Sequence, residues 1–240
     1  MTQTGYEPLG TLKPVAQGIW IVDGAPVMRA YVPVPTRSVV VQLQGGGLWV
    51  YAPIELTDGL AAELAAAGPV AHIVSPNADC NAQALVWADA YPEAQLWDVE
   101  ALTPGEAEEA WRGQLHQAVV RVRPDWSEAV FCHRPSRSLF FADLFEVLET
   151  KFLPVWSRPI VWFSGTDDSG GHLRPTLRWG RKYDDKVALG RDIEKIMDWG
   201  ARGLIPGHGR VFEAHANREL ERAFRKELRP LRWEKAFEKK

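Results

Sequence analysis

"IVSPNADCNAQ", residues Ile73 to Gln83, is the stretch on which the reading of this chain turns. It begins as an apolar strand and breaks at Pro76. It then passes through Asn77, Asp79, Cys80 and Asn81 before a helical spacing starts, with Leu85, Trp87 and Ala88 among its apolar positions. A strand that runs into a polar turn and then a helix is one half of an α/β unit. In such sheets the residues just beyond the strand ends converge in one crevice, where ligands bind.

The same alternation continues outward from this stretch. Upstream, "TDGLAAELAAAG" reads as a helix that Thr57 or Asp58 can cap and Gly68 can end. "GIWIVDG" is a short apolar strand, and "TRSVVVQLQGGGLWVYAP" is a hairpin around Gly45, Gly46 and Gly47. Downstream, "TPGEAEEAWRG" reads as a helix with Thr103 as cap and Pro104 at its first position. "EAVFCHRPSRSLFFADLF" is a second hairpin, turning at residues 134–137. Residues 164–185 read as a long surface loop, and "KVALGRDIEKIMDWG" as an amphipathic helix. "ARGLIPGHGRVF" is a strand stopped by Pro206-Gly207-His208-Gly209. From about residue 214 a basic tail is helical, interrupted near Pro230. The expectation is one α/β domain over residues 1–240.

Composition bounds the partners. Hydrophobic residues are 46% and charged residues 25% of 240, as in an ordinary globular protein. The net charge of −3 gives no general case for nucleic acid. Charge is uneven: nine Lys/Arg against five Glu from Arg218 to Lys240 make the tail +4 and the remainder −7. Two cysteines cannot form a disulfide framework, so a reducing cytoplasm is expected. The polar first residues do not read as a signal peptide, and no window of eighteen apolar residues predicts a membrane span.

Three strand ends, "SPNADCN", "FFADL" and "IPGHG", carry the candidate chemistry. Thiolate, imidazole and carboxylate are the usual zinc ligands. The same three groups could also serve as nucleophile, base and orienter, as Cys80, His208 and Asp143.

The order of these stretches resembles the metallo-β-lactamase superfamily. There a strand ends in H-x-H-x-D-H, a later hairpin in an Asp, and a final strand in G-H. "FFADLF" supplies Asp143 at the second place and "LIPGHGRVF" supplies His208 at the last. The chain is similar above all to a divergent, uncharacterised branch, a domain of unknown function, with a P-N motif followed by a His pair. Pro76-Asn77 fits that motif, and Cys80-Asn81 stands where the pair would be.

The resemblance implies a four-layer αββα sandwich, two mixed sheets face to face with helices outside. It also implies a degraded metal motif. Either Ser75, Asn77, Asp79 and Cys80, or Pro76, Ala78, Cys80 and Asn81, occupy the H-x-H-x-D-H positions. No histidine stands in "RVRPDWSEAV", where the family has one. The ligands left are Asp79, Cys80, Asp143 and His208, enough for one divalent ion at most, zinc by preference. The expected function is therefore a specialised hydrolase with Asp143, His208 and Cys80 as its catalytic groups, or a non-catalytic binding protein on the same fold. Its partner is an unidentified small-molecule substrate or ligand, neither nucleic acid nor membrane, and self-association stays open. His172 is a candidate lid residue within the 164–185 loop.

Overall fold

The computed structural model describes residues 5–29, 31–164, 170–178 and 183–238. The strand-rich first half forms one mixed sheet. Its members are β1 (Lys13–Ala16), β2 (Ile19–Arg29), β3 (Val32–Gln42), β4 (Leu48–Tyr51), β5 (Val70–Ser75) and β6 (Gln95–Asp98). They lie side by side in chain order. β1 to β4 pair antiparallel, and β4, β5 and β6 pair parallel. Each parallel step needs a crossover. The crossovers are α1 (Asp58–Ala67) and α2 (Asn81–Ala90). Thr57 caps α1 by accepting from the Leu60 amide, and Gly68 ends it.

The second sheet begins with the antiparallel β7 (Leu115–Arg123), β8 (Trp126–His133) and β9 (Ser138–Phe141). A short antiparallel pair stands apart, β10 (Phe145–Glu146) with β11 (His172–Leu173). α3 (Arg158–Ser164), α4 (Pro175–Arg178) and α5 (Tyr183–Asp198) follow in the helical segments around it. β12 (Gly203–Pro206) closes the second sheet, parallel to β9. The chain ends in α6 (Ala216–Ala223) and α7 (Arg225–Glu238).

Strand periodicity sorts side chains into three apolar layers, which is what a four-layer sandwich requires. Val40, Leu48, Val50 and Ile73 face outward onto Leu60, Leu64 and Trp87 of α1 and α2. Their neighbours Val39, Val41, Trp49, Tyr51 and Val74 face the other way, against Phe131 and Phe140 of the second sheet. Val130, Cys132 and Leu139 point out again, onto Ile193, Leu220, Phe224 and Leu228. The central layer is aromatic. Trp49 meets Phe131 edge-on at 4.8 Å, and Trp111 meets Trp97 edge-on at 5.0 Å. The αββα sandwich is thus the architecture of the chain.

Several local expectations change. "TPGEAEEAWRG" forms only a 3-10 turn over Glu109–Trp111. Gly105 has φ +81, which starts a turn rather than a helix, and Trp111 is pulled wholly into the central layer. His116 lies in β7, stacked on Trp199. The tail breaks at Phe224 instead of Pro230, and α7 runs through the proline. The 164–185 loop contains β11 and α4; residues 165–169 and 179–182 fall outside the described residues.

Candidate functional site

The ends of β5, β9 and β12 meet at one edge of the sandwich, and the β2–β3 hairpin closes over them. Each strand end delivers one side chain: Asn77 after β5, Asp143 after β9 and His208 after β12. Asp143 and His208 are in direct contact, with Nε2 3.0 Å from Oδ1.

The backbone around His208 explains the two glycines of "PGHG". A side chain on Gly207 would meet the Ala142 carbonyl at 2.6 Å, and one on Gly209, at φ +93, the Val147 carbonyl at 1.9 Å. Only glycine lets this turn lie directly on the segment carrying Asp143. Buried Arg37 fastens the turn from the other side. It donates to the Pro206 carbonyl at 3.0 Å and the Gly209 carbonyl at 2.5 Å while paired with Asp23.

Behind Asp143 lies a carboxylate that its strand pattern hides. Glu128, fully buried in β8, accepts from three successive amides: Ala142 at 2.9 Å, Asp143 at 2.7 Å and Leu144 at 2.9 Å. Asn77 completes the inner wall. Its amide nitrogen donates to Glu128 Oε2 at 3.1 Å and to Asp143 Oδ2 at 3.0 Å, and its oxygen accepts from the Asp79 amide. Both donors and the acceptor oxygen of this buried Asn are engaged. Ser75, also buried, donates to Asn81 Oδ1 at 2.6 Å.

The cation of the site is a guanidinium. Arg29 Nη2 from the β2–β3 hairpin lies 2.5 Å from Asp143 Oδ1 and 3.2 Å from His208 Nε2. Arg174 Nη1 is 3.3 Å from the same carboxylate oxygen and 2.6 Å from Asp79 Oδ2. His208 Nδ1 faces the Pro35 carbonyl at 2.5 Å, so that nitrogen carries a proton. Nε2 then donates to Asp143 if protonated, or accepts from Arg29 if not, and is satisfied either way.

Charges set the titration of these groups. Burial alone would raise the Asp143 pKa, but the His208 hydrogen bond and the charges of Arg29, His208 and Arg174 hold it well below the usual carboxylate range. Glu128 goes the other way. Burial and then the charge of Asp143 push it up to about 7, against the pull of its backbone donors. Cys80 is pushed well up by burial and by the charges of Asp143, Glu128 and Asp79, so its thiol stays protonated. A helix N-terminus by itself lowers a thiol pKa, but here it is outweighed by burial beside three carboxylates.

The four residues offered as metal ligands line one cavity, but the two carboxylates and the imidazole among them already have other partners. Asp79 is turned to Arg174, and Asp143 and His208 are engaged by Arg29. Among the described residues, no group of three or more His, Cys, Asp or Glu is arranged to hold a metal ion. As arranged, the donor set does not fit zinc, because the imidazole and the carboxylate are bonded to each other and a permanently charged side chain, Arg29, lies against both. Cys80 makes no hydrogen bond to His208 among the described residues, and both line the same cavity. His172 lies in β11, paired with Glu146.

A cavity of about 460 Å³ opens in front of these groups. Pro26, Val27, Pro53 and Ile54 form its apolar walls, and Arg29, Asp79, Cys80, Gln83 and His208 its polar floor. Asp143 and His208 were legible from the sequence as strand-end residues. Arg29, Arg174 and Glu128 were not. Glu128 alone left a trace, a carboxylate at an alternating position between Trp126 and Val130.

Comparisons with known proteins agree with the fold. A family described as Domain of unknown function (DUF4336) matches residues 16–102, from the end of β1 past β6, including the Asn77–Cys80 turn. No protein of curated function is similar enough in sequence to count as a relative. Among solved structures, the metallo-β-lactamase FIM-1 from Pseudomonas aeruginosa, in its mono-zinc form, superposes with a TM-score of 0.58 at 14% identity, covering 92% of this chain and 95% of its own. The metallo-β-lactamase DIM-1, exposed to ceftazidime, gives 0.62 at 14% identity over 90% and 96%. A metallo-β-lactamase from Hirschia baltica gives 0.57 at 11% over 91% and 97%.

Proposed function

We propose that this chain, whose fold is that of the metallo-β-lactamases, is a metal-independent binding protein that receives a small molecule in its strand-end cavity. The observation that carries the reading is the Arg29 guanidinium, 2.5 Å from Asp143 and 3.2 Å from His208. A cation already neutralises the carboxylate, and a divalent ion there would have to displace it. Like charges at such separation repel by several kcal/mol even when partly screened, roughly 4 kcal/mol at 4 Å near a protein surface.

The chemistry left to the pocket is recognition. Its thiol is protonated, its Asp143 carboxylate is locked in ion pairs, and Glu128 stands behind the wall and outside the cavity lining. The apolar walls with a few polar groups suit a compact, partly apolar ligand. Both cysteines are free, which supports a reducing compartment such as the cytoplasm. Among the described residues no helix is long and apolar enough to cross a membrane.

Elemental analysis tests the reading. Protein purified without chelator and dialysed against micromolar zinc is expected to retain zinc far below one equivalent per chain. One tightly held equivalent, lost in His208→Ala, would instead establish the alternative of a single-metal hydrolase using Asp79, Cys80, Asp143 and His208.

A further inference from the structure

The segment that leads into α3 exposes an unusual run of apolar side chains. Val155 is 74% exposed, Trp156 57%, Trp162 65% and Phe163 80%. Trp162 and Phe163 pack edge to face at 4.9 Å, so they form one platform. Beside them stands the tip of the β2–β3 hairpin, where Met28 is 65% and Tyr31 81% exposed. The two sides share one small core, in which Val32 and Val34 of β3 pack with Leu148, Leu153 and Val161. Tyr31 adopts φ +65, a left-handed conformation that bulky residues rarely take. The backbone is thus held in a costly shape that sends an aromatic ring into solvent.

We infer that this face is the interface of a homodimer, joined to the same face of a second copy about a two-fold axis. Area is the first argument. At roughly 200 Å² per aromatic side chain, the exposed parts of Tyr31, Trp156, Trp162 and Phe163 come to about 600 Å². With Met28 and Val155 the face approaches the roughly 800 Å² per partner of a stable interface. It also exceeds the apolar patch that an ordinary monomer leaves uncovered.

Charge is the second argument, and it decides against an anionic lipid surface. Binding to such a surface relies on free Lys and Arg around the apolar face. Here the described cations are few and each is already engaged: Arg158 donates to the Leu153 carbonyl, Lys151 pairs with Glu149 at 3.2 Å, and Arg29 is turned inward to Asp143. A predominantly aromatic face is self-complementary, which is what an isologous contact requires.

Sedimentation velocity on the full chain at 1–100 µM, repeated with phosphatidylcholine and phosphatidylglycerol vesicles in a flotation assay, tests the inference. The expected result is a dimer that does not float. Trp162→Glu with Phe163→Glu should weaken it at least 100-fold while leaving the circular dichroism spectrum unchanged, since both rings are exposed in one chain. Leu85→Glu, at another exposed apolar position on α2, should leave the dimer intact. A wild-type protein that stays monomeric at 100 µM overturns the inference. So does a dimer that survives the double substitution, or a monomer carried up by vesicles. Zinc content is independent of all these outcomes, so failure here leaves the metal-free reading of the pocket standing.

Discussion

The inner and outer walls of the pocket are built by different means. The inner wall is Asp143 backed by Glu128 and Asn77, all buried, and it is tied to backbone: three amides bind Glu128 and one binds Asn77. The outer wall is Arg29, Asp79 and Cys80, with Arg174 behind Asp79, held by side-chain ion pairs and by packing. Backbone donors are fixed by the fold and cannot leave. Side chains on a hairpin and a loop can. The difference implies that the inner wall carries stability, whereas the outer wall sets what the pocket accepts. Asp143 belongs to both, as the anion where the two walls join.

Removing that joint should have the largest effect. Asp143→Ala leaves Arg29 and Arg174 without their shared carboxylate and the second Asn77 donor without an acceptor. Breaking one side of a buried pair costs about 3–5 kcal/mol. Urea denaturation should register a loss of that size. Arg29→Met added to Asp143→Ala should recover part of it, because the stranded cation is then gone. A loss below about 1 kcal/mol, as for exposed ion pairs, would mean that the walls are not joined at Asp143.

The next test separates the walls by pH. Glu128 has a folded pKa of about 7 against an ordinary 4.5, so the folded state binds its proton more tightly than the unfolded state. Its contribution is full below pH 4.5 and is lost as pH rises through about 7. Asp143 has the opposite sign. Its contribution is present above its ordinary 3.8 and is lost as pH falls below that value. Glu128→Gln should flatten the decline between pH 4.5 and 7 and leave the acid limb in place. At neutral pH the substitution also turns an amide nitrogen toward a backbone donor, at a cost of about 1–3 kcal/mol. An unchanged slope between pH 4.5 and 7 in Glu128→Gln would remove Glu128 as its source.

The same contrast explains what was legible in the sequence. Strand and helix periodicity gave the alternation, but only α/β; the four layers came from the resemblance carried by "FFADLF" and "LIPGHGRVF". Asp143 and His208 were visible because each ends an apolar strand next to residues of turn type. Asn77 was visible as a position where a ligand was missing, but its role as a bridge between two carboxylates was not. Arg29 is 114 residues from Asp143 and 179 from His208, and nothing local to "APVMRAYV" marks it. Contacts set by tertiary packing leave no periodic signal. The helix expected at residues 103–113 failed for a related reason. Burial of Trp111 in the central layer, with Gly105 at positive φ, decided the local conformation over cap and composition.

The smallest effect is expected at Cys80, on the outer wall. Its sulfur lines the cavity and packs at the edge of the central apolar layer, yet it makes no hydrogen bond among the described residues. Burial first, then the charges of Asp143, Glu128 and Asp79, keep the thiol protonated, and Arg29 offsets them only in part. The thiolate is the reactive form of cysteine. Iodoacetamide at pH 8 should therefore modify Cys80 at least roughly ten-fold more slowly than a free cysteine, which is already partly ionised there. Cys80→Ala should cost about 1 kcal/mol or less, as a half-buried packing side chain at a cavity wall does. In Asp143→Asn one of the charges that suppress ionisation is gone, so alkylation should speed up with the fold retained. Fast labelling of the wild-type protein at neutral pH would reverse the assignment. It would mean that the outer wall supplies a thiolate, and the trio of Cys80, His208 and Asp143 would return as a nucleophilic site.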